Sequence, residues 1–285
     1  RKSIDAAEQA IMRIVDTHLH LIYLDNFSYP WLDGVPPLKR QWDAPAYFRE
    51  AEALGIEAAL HMEVDVPVQE MEDETRFVLG LDARVVGAIS NARPEHVDFP
   101  RHLERMLAEP RIRGIRRLLQ SDPDQLSAGH VFRDNLRRLA PHGLVFDICV
   151  QSRQLGLARD LVAACPDVQF VLDHCGNPLL SSGDISAWRR DLAALAALPN
   201  VAGKISGIVN HAKPGWTAGD LRPVVEHMIE SFGWDRVVFG SDRPVLTLNG
   251  SLTQWVDALK TIVSGASEDE QARLFHRNAE RVYRL

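Results

Sequence analysis

Residues 168–178 read Val-Gln-Phe-Val-Leu-Asp-His-Cys-Gly-Asn-Pro. From Val168 to Leu172 the run is apolar at nearly every position, then breaks into Asp173-His174 and stops at Gly176, Asn177 and Pro178. Side chains alternate between the faces of a strand, so a strand apolar on consecutive positions needs cover on both sides. Parallel strands beneath helices have that cover. Polar residues where such a strand ends face a site rather than a core, although a single histidine there serves equally well as a satisfied structural one.

Comparable runs recur outward from this one: Ile14-Val15-Asp16-Thr17, Ile56 to Val64, Arg84 to Ser90 and Ile112 to Leu119 before it, with Leu144 to Val150. Val201 to Ser206 and Arg236 to Asp242 follow, and with Val168 to His174 they make eight candidate strands. Between them apolar residues return at helical spacing in Pro45 to Leu54, Val131 to Leu139, Leu155 to Ala164, Ile185 to Ala197, Leu221 to Phe232 and Leu252 to Ser264. Asp43 is placed to cap the first of these, Pro45 sits in its first turn, and Gly55 ends it. The alternation predicts an α/β fold in which eight units close into a (β/α)₈ barrel, which typically needs about 250 residues. An open doubly wound sheet is the alternative. No linker divides the 285 residues, so one domain over 1–285 is expected, with 1–13 as an N-terminal lead-in.

A net charge of −7 argues against binding a phosphate backbone, which requires concentrated Lys and Arg. Cys149, Cys165 and Cys175 lack metal-site spacing and read as core thiols, as expected of a reducing cytoplasm. Asp5, Glu8 and Arg13 interrupt any secretory pattern between Arg1 and Ile14, and no apolar run of roughly 18 residues suggests a membrane span. Asn249-Gly250-Ser251 reads as a turn.

Tyr23 to Trp42 is an aromatic loop punctuated by Pro30, Gly34, Pro36 and Pro37, placed after the first strand, where a barrel builds its active site. Trp31 within it is a candidate substrate contact. In Val15-Asp16-Thr17-His18-Leu19-His20 the two histidines, one residue apart, point the same way from a strand end. They can bind one metal ion or two substrate oxygens, and a pair of polar residues capping the strand is the plain alternative. Val237-Val238-Phe239-Gly240-Ser241-Asp242 ends a buried strand on a carboxylate, which needs a cationic, metal or hydrogen-bonding partner unless it only caps the next turn.

His18 and His20 on strand one, His174 on strand six and Asp242 on strand eight fall at one end of one barrel. This order resembles the amidohydrolase superfamily, which sets such residues around an activated water. Asp16-Thr17-His18-Leu19-His20, Tyr29-Pro30-Trp31-Leu32, Arg113-Gly114-Ile115-Arg116, Asp173-His174-Cys175-Gly176-Asn177-Pro178 and Gly240-Ser241-Asp242-Arg243-Pro244 are similar to its branch of sugar-acid and dicarboxylate lactonases. The resemblance spans about Val15 to Asn278-Ala279. It implies a hydrolase of carbohydrate metabolism that opens a small lactone, with a small-molecule substrate, no membrane partner, and a homo-oligomer left open. Asp242 would take a proton from water and later return it to the ring oxygen. His18, His20 and any single ion would orient the water or polarise the carbonyl, while His174 and Arg116 would face the carbonyl oxygen or hydroxyls.

The chain departs from the wider pattern in two ways. Strand four offers Arg116 and Arg117, and strand five, Leu144 to Val150, has no histidine, so two metals are not expected. The resemblance implies one divalent ion, zinc or manganese, or none. Glu63 is the best added carboxylate for a single-ion site with His18, His20 and Asp242, its plain alternative being a charge at the rim. Arg243 stands where the family pattern has an aromatic residue; it is a candidate to pair with Asp242 and depress its pKa, to face a substrate carboxylate, or simply to sit on a surface turn. Lys204, Asn210 and His211 are candidates for substrate hydroxyls. The alternative reaction is metal-dependent decarboxylation of an unsaturated acid on the same barrel, a pattern that carries a strand-five histidine.

Overall fold

Each of the eight apolar runs forms a strand in the computed structural model, which describes residues 12–285. Positions 1–11, which hold most of the expected lead-in together with Asp5 and Glu8, lie outside the described residues. The strands are β1 (Ile14–Leu19), β2 (Ile56–Met62), β3 (Val85–Asn91), β4 (Ile112–Leu118), β5 (Val145–Cys149), β6 (Gln169–Leu172), β7 (Val201–Ile205) and β8 (Val237–Phe239). All neighbours pair in parallel, in the order of the chain.

β8 is short, and the barrel closes on β1 through the segment beyond it. Thr17 Oγ1 donates to Phe239 O at 2.6 Å, Asp242 N to His18 O at 2.9 Å, and His20 N to Arg243 O at 2.8 Å. Closure and the placement of His18, His20 and Asp242 are therefore one event. Gly240 makes it possible, because a Cβ there would stand 2.8 Å from the Cβ of His18.

Helices cover the outside: α1 (Ala44–Ala51), α2 (Met71–Leu79), α3 (Phe99–Met106), α4 (His130–Arg137), α5 (Leu155–Ala164), α6 (Ser186–Ala196), α7 (Ala218–Phe232) and α8 (Leu252–Ile262). As the sequence suggested, Asp43 caps α1, accepting from Ala46 N at 2.7 Å, and Gly55 follows in the left-handed region at φ 89°. The Asn249-Gly250-Ser251 turn delivers Ser251 as the cap of α8. The sequence reading singled out neither α2 nor α3; acidic Glu72, Asp73 and Glu74 in the first turn of α2 were an available signal. Two short helices, α9 (Glu268–Ala272) and α10 (Asn278–Tyr283), end the chain.

Alternation divides the core into two layers. Phe146, Ile148, Phe170 and Leu172 face the helices, while Val145, Val171, Ala202 and Val238 fill the barrel with Leu60, Met62 and Ile89. Tyr283 and Val282 of α10 join this inner layer. The aromatic loop is packed rather than loose. Tyr29, Leu32, Leu38 and Trp42 form a small core with Val64, Val66 and Met71, and Ile22 and Trp42 bond backbone to backbone at its base. No helix among the described residues is long and apolar enough to cross a membrane.

β6 and β8 stop earlier than their apolar runs suggested. After Leu172 the chain enters a left-handed turn with His174, Cys175, Gly176 and Asn177 at φ 51–69°, and Asp242 likewise has φ 60°. For non-glycine residues this region costs roughly 1–2 kcal/mol each, so the packed barrel must enforce it. Both strained segments carry site residues.

Candidate active site

The three imidazoles named from sequence meet one carboxylate oxygen. Asp242 Oδ1 lies 3.8 Å from His18 Nε2, 3.7 Å from His20 Nε2 and 3.9 Å from His174 Nε2. His20, His174 and Asp242 line a cleft of about 770 Å³ at the C-terminal mouth of the barrel, while His18 is fully buried beside them. Trp31 lines the same cleft, held by its Nε1 donating to Val64 O at 2.9 Å.

His20 Nδ1 lies 3.0 Å from Met62 O, an oxygen that can only accept. Nδ1 therefore carries the proton and the Nε2 lone pair points at His18 Nε2, 3.2 Å away. On the opposite wall His174 Nδ1 is 3.0 Å from Ser206 Oγ, which leaves Nε2 facing the cleft. Gly207, at φ 67°, supports that ring from beneath: a Cβ there would fall 2.4 Å from His174 Nδ1. Gly207→Ala is expected to displace His174 and lower kcat at least tenfold, with about 1 kcal/mol of added backbone strain; steady-state kinetics beside a melting curve check both parts.

Burial sets the charge states. It pushes Asp242 up to about 8; Arg116 opposes this, and the nearby Asp173 and Asp16 add to it. His18 and His20 are driven well below their ordinary value by burial, and His174 to about 3, so all three imidazoles are neutral near pH 7. This corrects the expectation that Arg243 would hold Asp242 low. Arg243 turns away from the cleft, pairs with Glu50 at 3.2 Å, and lies over the Trp42 and Tyr47 rings at 5.2 and 5.5 Å. A planar guanidinium stacks where an aromatic residue would.

Glu63 is also placed differently from the expectation. Its Oε1 accepts from Arg116 Nε at 2.6 Å and its Oε2 from Asp65 N at 2.7 Å, so the carboxylate is committed to holding Arg116 instead of joining the histidines. Arg116 Nη2 donates to Glu63 O at 2.9 Å, and Nη1 is left pointing toward His18 Nε2 at 3.4 Å, at the floor of the cleft. Arg117, the other face of the strand, pairs with Glu95 and Asp122. Lys204 does not reach a substrate at all. At 0% exposure it sits inside the barrel, bonded to Asp147 at 2.5 Å and Asp173 at 2.9 Å.

Asp147, Asp173, Ser206 and Asn210 were given no role from sequence in this machinery, Asn210 apart from its candidacy for hydroxyls. Asn210 Nδ2 contacts Asp242 Oδ2 at 3.4 Å. A charged residue at an inward position of an otherwise apolar strand, as Asp147 is in Val145–Cys149, was the available signal.

The donor set suits a divalent cation. His18, His20 and Asp242 offer two ring nitrogens and an oxygen within 4.8 Å of one another, all buried. Nitrogens bound at ~2.0–2.1 Å in a tetrahedral site stand about 3.3 Å apart, which the 3.2 Å between the two Nε2 atoms matches. His18, Asp173 and His174 form a second such group, but Asp173 is already bound to Lys204.

Known proteins share this architecture. The chain is 32% identical to an L-fucono-1,5-lactonase of Burkholderia multivorans over 95% of its own length and 96% of that protein's. A crystal structure of a Burkholderia multivorans amidohydrolase with bound zinc superposes with a TM-score of 0.86 at 28% identity, covering 96% of this chain and 99% of that one. The 5-carboxyvanillate decarboxylase of Sphingomonas paucimobilis superposes at 0.66 with 14% identity, covering 96% and 99%, a likeness of fold alone. The amidohydrolase family profile matches residues 15–285, nearly the whole barrel, and the chain belongs to that family.

Proposed function

We propose that this protein hydrolyses a small, uncharged sugar-acid lactone with Asp242 as general base. The observation that carries the reading is the single carboxylate oxygen facing three neutral imidazole nitrogens at 3.7–3.9 Å, on a cleft large enough for a sugar ring. Among the described residues the cleft is lined by two arginines, Arg116 held by Glu63 and Arg153 paired with Asp124, so only Arg116 Nη1 is left to donate, which favours an uncharged substrate over a dicarboxylate. Gln120, Ser121, Gln151, Asn177 and His211 offer the neutral hydrogen-bonding groups that hydroxyls need. The named lactonase relative supports the same substrate class.

Lactone opening requires a water made nucleophilic, stabilisation of the tetrahedral oxyanion, and a proton for the departing alkoxide. Asp242 takes the proton from water and returns it to the ring oxygen. Asn210 holds the other carboxylate oxygen and so turns Oδ1 toward the histidines. Arg116 Nη1 is the donor for the oxyanion, fixed because Glu63 occupies its remaining edge. His174, neutral and braced by Ser206 and Gly207, orients the ring through Nε2. A divalent ion held by His18, His20 and Asp242 would supply Lewis acidity at the carbonyl and favour the ionised form of Asp242, and the zinc of the related structure makes zinc the first ion to try. Decarboxylation is disfavoured, since strand five has no histidine and its buried Asp147 is bound to Lys204 and Tyr283. A pH-indicator screen of sugar-acid lactones and pyrone dicarboxylates, with and without added Zn²⁺ or Mn²⁺, tests this. Acid release from uncharged lactones is expected, whereas carbon dioxide release or a preference for dicarboxylates overturns it.

Asp242 also links ion binding to pH. Raised to about 8, it is protonated at pH 7 without an ion, while His18 and His20 are not. Zinc binding is then expected to release close to one proton at pH 7, and affinity to rise about tenfold per pH unit up to about pH 8. A carboxyl whose folded pKa exceeds its unfolded value binds more protons when folded, so the ion-free fold loses stability as pH climbs from about 4 toward 8. Calorimetry in buffers of different ionisation enthalpy measures the proton, and the absence of release would remove Asp242 from the ligand set.

A further inference from the structure

Three consecutive residues just beyond β2 hold three parts of the cleft wall in fixed relation. Glu63 accepts from Arg116 through both its carboxylate and its backbone oxygen, Val64 O accepts from Trp31 Nε1, and Glu63 Oε2 accepts from Asp65 N at 2.7 Å. Arg116, Trp31 and Asp65 all line the cleft. One backbone segment therefore sets the spacing between a cationic donor, an aromatic ring and a carboxylate.

Of the three, Asp65 is the strained one. It sits at φ 49°, in the left-handed region that non-glycine residues enter at a cost, and the bond from its N–H to Glu63 helps to hold it there. Its side chain is 42% exposed. Among the described residues that carboxylate forms one ion pair, with Arg93 Nη2 at 3.7 Å from Oδ1, which is beyond hydrogen-bond reach. Arg93 spends its Nη1 on Asn91 Oδ1 and Ala92 O. Asp65 thus presents two oxygens that can only accept, and no described side chain donates to them. Two neighbouring hydroxyls on a ring carry the matching donors. The indole of Trp31, anchored one residue earlier in the chain, offers apolar surface for the ring itself.

Resting on the reading of this cleft as a lactonase site, we infer that Asp65 is the residue that selects polyhydroxylated lactones. With the lactone carbonyl at Arg116 and the ring against Trp31, the Asp65 carboxylate accepts from two neighbouring hydroxyls of the substrate. Lactones without hydroxyls leave it unmatched, and lactones that carry a carboxylate meet a like charge. Glu63 then serves both ends of the substrate, since one of its oxygens fixes Arg116 and the other fixes Asp65.

Steady-state hydrolysis of aldono-1,4-lactones and aldono-1,5-lactones, set against γ-butyrolactone and δ-valerolactone, compares the same rings with and without hydroxyls. The wild-type protein is expected to favour the hydroxylated lactones by about 10²-fold or more in kcat/KM. Asp65→Asn keeps the size and the tolerance of left-handed backbone but loses the charge. It should raise KM for the aldonolactones about tenfold with kcat little changed, as loss of a contact away from the reacting carbonyl does, and leave the unsubstituted lactones within about twofold. An equal loss on both lactone classes overturns the inference, as does a wild type indifferent to the hydroxyls. Asp65→Gly, which adopts φ 49° without strain, repeats the comparison should the Asn variant misfold. If the wild type opens both kinds of lactone and the variants keep its preference, only the assignment of Asp65 fails. If the wild type opens neither, the lactonase reading fails and the assignment falls with it.

Discussion

Asp242→Asn is expected to reduce turnover of the best lactone by about 10³–10⁴-fold while leaving the fold intact, the upper range for removing a general base. Asn is the informative replacement because Asp242 sits at φ 60°, a conformation that Asn tolerates better than most residues. The backbone bond from Asp242 N to His18 O that helps close the barrel is therefore kept. An uncharged amide also removes a carboxyl that burial disfavours as an anion, so thermal stability should hold or rise. Lost activity with an unchanged melting temperature and unchanged zinc content assigns the base; activity within about tenfold of wild type would assign it elsewhere.

Arg116→Met is expected to damage two properties that a second substitution separates. Its removal leaves Glu63, wholly buried, without the guanidinium it accepts from, and a buried charge stripped of its partner costs about 3–5 kcal/mol. It also deletes the proposed oxyanion donor, for which a loss of about 10²–10³ in kcat is usual. Glu63→Gln combined with Arg116→Met should recover most of the stability and none of the activity. Denaturant melts and kcat measured on both variants test this. Recovery of activity in the double variant would show that Arg116 only supports the fold. Arg116→Lys should not rescue, because a single ammonium cannot hold Glu63 along one edge and present a donor along the other.

Much of the site was legible because strands obey a period of two. His18 and His20 share a face by spacing alone, and Asp242 ends the apolar run that becomes β8. The departures have specific causes. Arg243 follows a site residue but lies on the other side of the closing segment, where Trp42 and Tyr47 offer it ring faces. Glu63 carries the right chemistry for an ion at the right strand end, yet Arg116 from two strands away reaches it first.

Lys204 shows the boundary most clearly. Alternation along β7 puts Lys204 and Ser206 on the same inward face, but Ser206 stands at the level of His174 while Lys204 lies one layer lower, sealed among carboxylates. The amino-acid order by itself determined the eight strands, their cover and the residues that end them, because hydrophobic periodicity is a local property of the chain. Only the closed barrel decided depth along its axis and which charge met which, since those depend on residues brought together from different strands and no local pattern records that pairing.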